Sequence, residues 1–165
     1  MSKVWRYGDH VDTDVIIPAR YLNIADIEEL KTHAMEDSKE DAEYEFAKNV
    51  RRGDIIVGGK NFGCGSSREA APLVLKANGI RCVIADSFAR IFYRNAINIG
   101  LPLVEIGKDV EQIGIHEVLF VDLPNGIVRI ANKGIDIKIR PIPDFVQKIS
   151  DAGGLINYVK ETGKL

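Results

Sequence analysis

The stretch from Ile55 to Ala85 constrains the fold more than any other part of the chain. It runs as an apolar segment Ile55–Gly58, a glycine-rich loop, a helical stretch from about Ser66 to Asn78 closed by Gly79, and a second apolar segment Arg81–Ala85. Apolar runs without alternation mark strands buried on both faces, and two such strands joined through a helix pair in parallel. Gly79 supplies the residue that ends the helix. A further helix over Ser87–Asn98, stopped by Gly100, and a strand over Leu101–Ile106 extend the same pattern. The middle of the chain is therefore α/β.

The flanks read differently. Val4–Tyr7 is a strand candidate, followed by a polar turn Gly8–Asp14 and an apolar run Val15–Ile17, read as a second strand ended by Pro18. From Ile24 to Val50 the chain is acidic, with apolar positions at Ile27, Leu30 and Ala34. A short helix, a solvated stretch and a second short helix are expected there. Val118–Asp122 and Ile127–Ile130 flank Pro124-Asn125-Gly126, a hairpin signal, and Ile135–Arg140 alternates with period two. Two short helices, Asp144–Ser150 and Leu155–Glu161, surround Gly153-Gly154. With no internal repeat and no long linker, residues 1–165 are expected to form one domain.

Composition narrows the function classes. The chain has 22 Lys and Arg against 24 Asp and Glu, a net charge of −2, so it carries no electrostatic footprint for nucleic acid or an anionic membrane. No apolar run approaches the roughly 20 residues of a transmembrane helix, and the N-terminal decapeptide has no signal-like apolar region. A cytoplasmic protein is expected. The two cysteines, Cys64 and Cys82, are too few and too far apart for a disulfide framework or an internal zinc or iron–sulfur site.

The loop Lys60-Asn61-Phe62-Gly63-Cys64-Gly65-Ser66-Ser67-Arg68-Glu69 lies between a strand and a helix start, where unpaired backbone N–H groups and the helix dipole favour an anion. No Gly-Lys-Ser/Thr follows, and Arg68 stands where a dinucleotide fingerprint needs its third glycine, so nucleotide binding loses support. A nucleophile elbow is missing as well, because Arg68 and not glycine follows Ser66 by two. Ser66 and Glu69 have capping-box spacing, which is a purely structural alternative. Two hydroxyls and two glycines exceed what a cap needs, and a cation in the first helical turn is explained by a bound carboxylate. On this reading the loop is a carboxylate pocket with two hydroxyls.

The second cluster is Gly8-Asp9-His10-Val11-Asp12-Thr13-Asp14. Its acids and threonine form either Asx-type bonds to the backbone or part of a site. It lacks the calcium-loop spacing, and a triad of His10, Asp12 and Ser66 is disfavoured without an elbow. His33 and His116 read as solvated or structural, and Cys82 as a small core residue.

Three segments in order carry a resemblance: Asp12-Thr13-Asp14-Val15-Ile16-Ile17-Pro18-Ala19-Arg20, then Gly63-Cys64-Gly65-Ser66-Ser67-Arg68-Glu69, then Asp86-Ser87-Phe88-Ala89-Arg90-Ile91-Phe92. Together they resemble the small subunits of 3-isopropylmalate dehydratase, which correspond to the swivelling C-terminal domain of aconitase. The resemblance spans essentially the whole chain. Ala70 departs from it, where many relatives have His. It implies an α/β fold of the swivelling β/β/α kind, with a mixed sheet or barrel-like β core and flanking helices. It also implies a hydro-lyase that interconverts 2-isopropylmalate and 3-isopropylmalate in leucine biosynthesis, with a [4Fe-4S] cluster on a separate large subunit and no metal on this chain.

By the same resemblance Ser66 is the base that takes a proton from carbon, while Gly65, Ser67 and Arg68 bind substrate carboxylate. A serine alkoxide needs N–H donors, a helix N-terminus and a nearby cation, which Gly65, a helix starting at Ser66 and Arg68 would supply. Tyr21, Leu22, Asn23 and Ile24 form the implied specificity loop. A neutral Asn23 beside Ile24 suits an isopropyl group better than the third carboxylate of homoaconitate. The alternatives are a small subunit for homoaconitate or another 2-alkylmalate, a non-catalytic carboxylate-binding module, and a serine hydrolase.

Overall fold

The computed structural model describes residues 2–163. In chain order, β1 (Ser2–Arg6) is followed by α1 (Thr13–Ile16), a 3-10 turn Ala19–Tyr21, α2 (Ile27–Leu30), a 3-10 turn Lys31–His33, α3 (Asp41–Tyr44) and α4 (Phe46–Asn49). Then come β2 (Ile55–Gly58), α5 (Ala70–Ala77), β3 (Cys82–Ala85), α6 (Arg90–Asn98) and β4 (Leu103–Glu105). After a 3-10 segment, Gly107–Gln112, the chain ends with β5 (Val118–Asp122), β6 (Ile127–Ile130), β7 (Ile135–Lys138), α7 (Asp144–Asp151) and α8 (Leu155–Thr162). None of these helices is long and apolar enough to cross a membrane.

All seven strands join one mixed sheet in the order β4-β3-β2-β1-β5-β6-β7. β1 to β4 run parallel, as the two buried apolar runs require, and β1, β5, β6 and β7 are antiparallel. The sheet curls on itself, because one face of both halves meets in a single core. Val4, Ile55, Val57, Ile84 and Val104 of the parallel half pack with Leu119, Val121, Val128, Ile130 and Ile137 of the antiparallel half. The intervening residues Trp5, Ile56, Val83, Ala85 and Leu103 point to the opposite face. There they pack with Val74 and Leu75 of α5 and Phe92 and Ala96 of α6. The expected α/β architecture with a barrel-like core is present.

Several boundaries move, each for a local reason. Val15–Ile17 is not a strand: Asp12 caps a helical turn, its Oδ1 accepting from the Asp14 N–H at 2.7 Å, so Val15 and Ile16 lie in α1. The helix expected from Ser66 begins only at Ala70, and the one expected from Ser87 begins at Arg90. The capping box does not form, since Glu69 precedes α5 without a side-chain cap bond. The acidic stretch holds α2, α3 and α4 rather than two helices. Glu45, at φ 43°, separates the last two, and Asp41 Oδ1 accepts from the Phe46 N–H at 2.8 Å. Within this stretch Met35 and Phe46 are fully buried.

The chain entering β2 is tied to β1 through a buried acid. Asp54 accepts from the Trp5 indole Nε1 at 3.0 Å and from the Arg51 backbone N–H at 2.9 Å. Both donors lose their partner in Asp54→Ala, so that variant is expected to lose about 1–3 kcal/mol of stability in urea unfolding. An unchanged midpoint would show that water replaces the carboxylate without cost.

Candidate active site

Three segments remote in sequence are zipped together at the carboxyl ends of the parallel strands. Beyond β1 and β2 the parallel ladder continues through the loops. Gly59 N–H donates to Gly8 O at 2.9 Å, His10 N–H to Lys60 O at 2.7 Å, Gly63 N–H to Val11 O at 2.8 Å and Thr13 N–H to Cys64 O at 2.9 Å. The buried Thr13 closes the junction, its hydroxyl donating to the Ser66 carbonyl at 2.8 Å. On the other side Phe62 N–H donates to Ser87 O at 3.0 Å, Ala89 N–H to Phe62 O at 2.9 Å, and Asn61 N–H to Ser87 Oγ at 2.8 Å. The Gly65–Arg68 loop is thereby held between α1 and the start of α6. Ligand sites at the carboxyl ends of parallel strands are the general rule for such sheets.

The loop glycines answer to their protein neighbours. Gly65 has φ +91°, and a Cβ there would sit 2.5 Å from Asp12 Oδ2, while one at Gly63, φ +84°, would meet the Phe92 ring. Both glycines let these segments close together.

The exposed hydroxyls of Ser66 and Ser67 make no hydrogen bond with the described residues. No described acceptor takes the backbone N–H groups of Gly65, Ser66 or Ser67. Arg68 is fixed: its Nη1 donates to Asp14 Oδ1, in an ion pair, and to the Ile17 carbonyl at 3.1 Å. Its remaining guanidinium donors are unused. Ser66, Ser67 and Arg68 line a cavity of about 300 Å³ with Thr13, Arg90 and Asn95. A larger cleft of about 1010 Å³, between β4, α6 and residues 138–146, shares Arg90 with it but neither serine.

These positions correct two expectations. Ser66 does not start a helix and Arg68 is not in a first helical turn, because α5 begins at Ala70. Any donors to an anion at Ser66 are therefore loop N–H groups, with little help from the α5 dipole, which fades beyond the first turn. The hydrolase triad does not assemble either: Asp12 caps α1, and His10 makes no hydrogen bond through its ring to Ser66 or Asp12. Burial and the Asp12 carboxylate push the Cys64 thiol up, away from the thiolate form. On β3, burial pushes the Cys82 thiol up to about 12. Sequence reasoning missed Asp14 as the partner of Arg68, and Thr13 as the clamp on the serine loop. A lone aspartate and threonine in a polar turn carry no signal of a contact more than 50 residues away.

Tyr21, Leu22, Asn23 and Ile24 do not line the cavity. They follow Ile17 on a segment with its own latch. The Tyr21 ring stacks on His33 with centroids 3.7 Å apart, and its hydroxyl donates to Glu36 at 2.8 Å. His33 Nδ1 pairs with Glu36 at 2.8 Å, and Arg20 grips Asp37 with two bonds of 2.7 Å. Burial opposes ionisation of Glu36, yet the bonds from His33 and Tyr21 hold its carboxyl below the ordinary range; the bonds from Arg20 do the same for Asp37. Leu22 and Asn23 remain exposed, and Ile24 packs against the core.

The chain matches the family described as the aconitase C-terminal domain over residues 9–108, a span containing both halves of this site. The 3-isopropylmalate dehydratase small subunit of Caldanaerobacter subterraneus is 56% identical over 160 residues, 97% of each chain. The protein of the same name from Nautilia profundicola is 54% identical over 97% of this chain and 93% of its own. A crystal structure of 3-isopropylmalate dehydratase from Methanocaldococcus jannaschii superposes with a TM-score of 0.89 at 44% identity, covering 98% of this chain and 93% of that one. The chain belongs to the 3-isopropylmalate dehydratase small-subunit family, within the aconitase C-terminal domain fold.

Gly65→Ala is expected to cost at least about 1 kcal/mol and to loosen the Asp12 cap, read by urea unfolding and amide exchange at Asp14. The Glu36 and Asp37 carboxyls lie below their ordinary values in the folded chain. Their contribution is therefore complete above about pH 4.3 and lost as pH falls through the lower folded values. Amide exchange across residues 18–37 should quicken below that pH relative to the sheet, and His33→Ala should quicken it at neutral pH. Equal protection of the wild-type and variant loops would remove the latch.

Proposed function

We propose that the chain is the small subunit of a two-subunit hydro-lyase. The enzyme interconverts 2-isopropylmalate and 3-isopropylmalate in leucine biosynthesis in the cytoplasm, and the chain is active only with its large subunit. The observation that carries this reading is the loop Gly65–Arg68. It presents two free hydroxyls, free N–H groups and a fixed guanidinium to one cavity, in a chain 56% identical to a protein of that name.

The reaction removes a proton from one carbon and hydroxide from its neighbour, then returns water with the positions exchanged. Ser66 takes the carbon-bound proton on Oγ and gives it back in the second half. Its alkoxide is accessible only where charge is stabilised, and Arg68 and the loop N–H groups supply that stabilisation. Ser67 and the unused donors of Arg68 bind a substrate carboxylate, and Gly65 contributes backbone N–H. Asp14 acts through Arg68 as a positioning residue, since it and the Ile17 carbonyl fix the guanidinium.

The [4Fe-4S] cluster belongs to the large subunit. No group of three or more His, Cys, Asp or Glu among the described residues is placed to hold a metal ion, and Cys82 is fully buried. When bound, the cluster supplies Lewis-acid pull on the leaving hydroxyl. The exposed Leu22 and the neutral Asn23 make the Tyr21–Ile24 loop fit an alkyl group rather than a third carboxylate.

In the complex reconstituted with the large subunit, Ser66→Ala is expected to lower kcat by about 10²–10⁴-fold while assembly is unchanged, read by size exclusion and a coupled absorbance assay. Full turnover in this variant would remove Ser66 as the base. A substrate panel in the same assay should favour isopropylmalate over homoaconitate.

A further inference from the structure

We propose that Arg90 is the second carboxylate-binding residue of the site, taking the substrate carboxylate that Arg68 and Ser67 leave free. The inference rests on the dehydratase reading above and deepens it. Its starting point is charge. The charged side chains lining the cavity beside Ser66 are Arg68 and Arg90. Arg68 is paired with Asp14, which offsets part of its charge, and its unused donors serve one carboxylate. A malate derivative carries two negative charges, and its second carboxylate would lose water without a cation to meet it.

Arg90 is the remaining cation. It is exposed and forms no hydrogen bond or ion pair among the described residues. Glu105, which borders the neighbouring cleft together with Arg90, makes no ion pair with it. Arg90 is also the first residue of α6, where the helix dipole disfavours a cation, and neither of its flanking residues is acidic. A bound carboxylate removes that penalty. The position is well held, since Ala89 is bonded to Phe62 and Phe92 is buried beneath. Arg90 therefore stands on well-bonded backbone at the wall of the cavity that the serines also line.

Arg90→Ala and Arg90→Lys, assayed in the complex with the large subunit, test the proposal. Arg90→Ala is expected to raise KM for isopropylmalate by roughly 10- to 100-fold with a smaller change in kcat, and added guanidinium ion should recover part of the loss. Arg90→Lys should fall between the two, since an ammonium lacks the bidentate fork. A dicarboxylate competitive inhibitor should weaken in Arg90→Ala by the same factor, while a monocarboxylate inhibitor is unchanged. Arg94→Ala, an equally exposed and unpaired arginine of α6 outside the cavity, should behave as wild type.

Unchanged KM and inhibition in Arg90→Ala, with Ser66→Ala inactive, would overturn the role of Arg90 and leave the dehydratase reading intact. Weaker assembly with unchanged KM at saturating large subunit would also overturn it, by assigning Arg90 to an acidic group of the partner protein. Full activity in Ser66→Ala would instead strike the underlying reading of the site.

Discussion

The site depends on a short run of parallel backbone pairing that outlasts the strands it starts from. β1 and β2 end at Arg6 and Gly58, yet residues 8–13 and 59–64 keep exchanging hydrogen bonds until Thr13 reaches Cys64. The Thr13 hydroxyl then takes the Ser66 carbonyl. Everything chemical follows from that junction: it fixes the direction of the serine loop, brings Asp14 to Arg68 and leaves the loop N–H groups without acceptors. Buried backbone groups must be paired, so the positive-φ glycines are the condition for closing the ladder.

The same economy of partners separates what is structural from what is poised to bind. Asp12 is absorbed by its cap, Asp9 accepts from the Lys60 N–H, and Asp54 is held by Trp5 and Arg51. Ser66, Ser67 and Arg90 keep unsatisfied polar groups beside one cavity. In a small subunit that completes its site with another chain, such exposure on one face is expected.

The Tyr21–Ile24 segment follows a different logic. It is anchored at Tyr21 through His33 and Glu36 and packs against the core at Ile24, while Leu22 and Asn23 between them remain exposed. Two exposed residues between two anchors can meet a substrate group without a large ordering cost.

Much of this was legible in the residues themselves. Unbroken apolar runs at Ile55–Gly58 and Cys82–Ala85 specify parallel strands buried on both faces, and the Pro124-Asn125-Gly126 turn specifies the β5–β6 hairpin, because each signal is local and periodic. The serines and Arg68 stand out in the residues as candidates for a carboxylate pocket, and the structure places them on one cavity. The sequence could not place the start of α5 at Ala70, convert Val15 into a helical residue, or pair Arg68 with Asp14. Those outcomes turn on hydrogen bonds between segments about 50 residues apart, and no local propensity carries information about them. The sequence by itself determined which side chains could do chemistry. Only the tertiary structure decided which of them face one another, because long-range backbone pairing, and not helix or strand preference, sets the geometry of the loop that carries them.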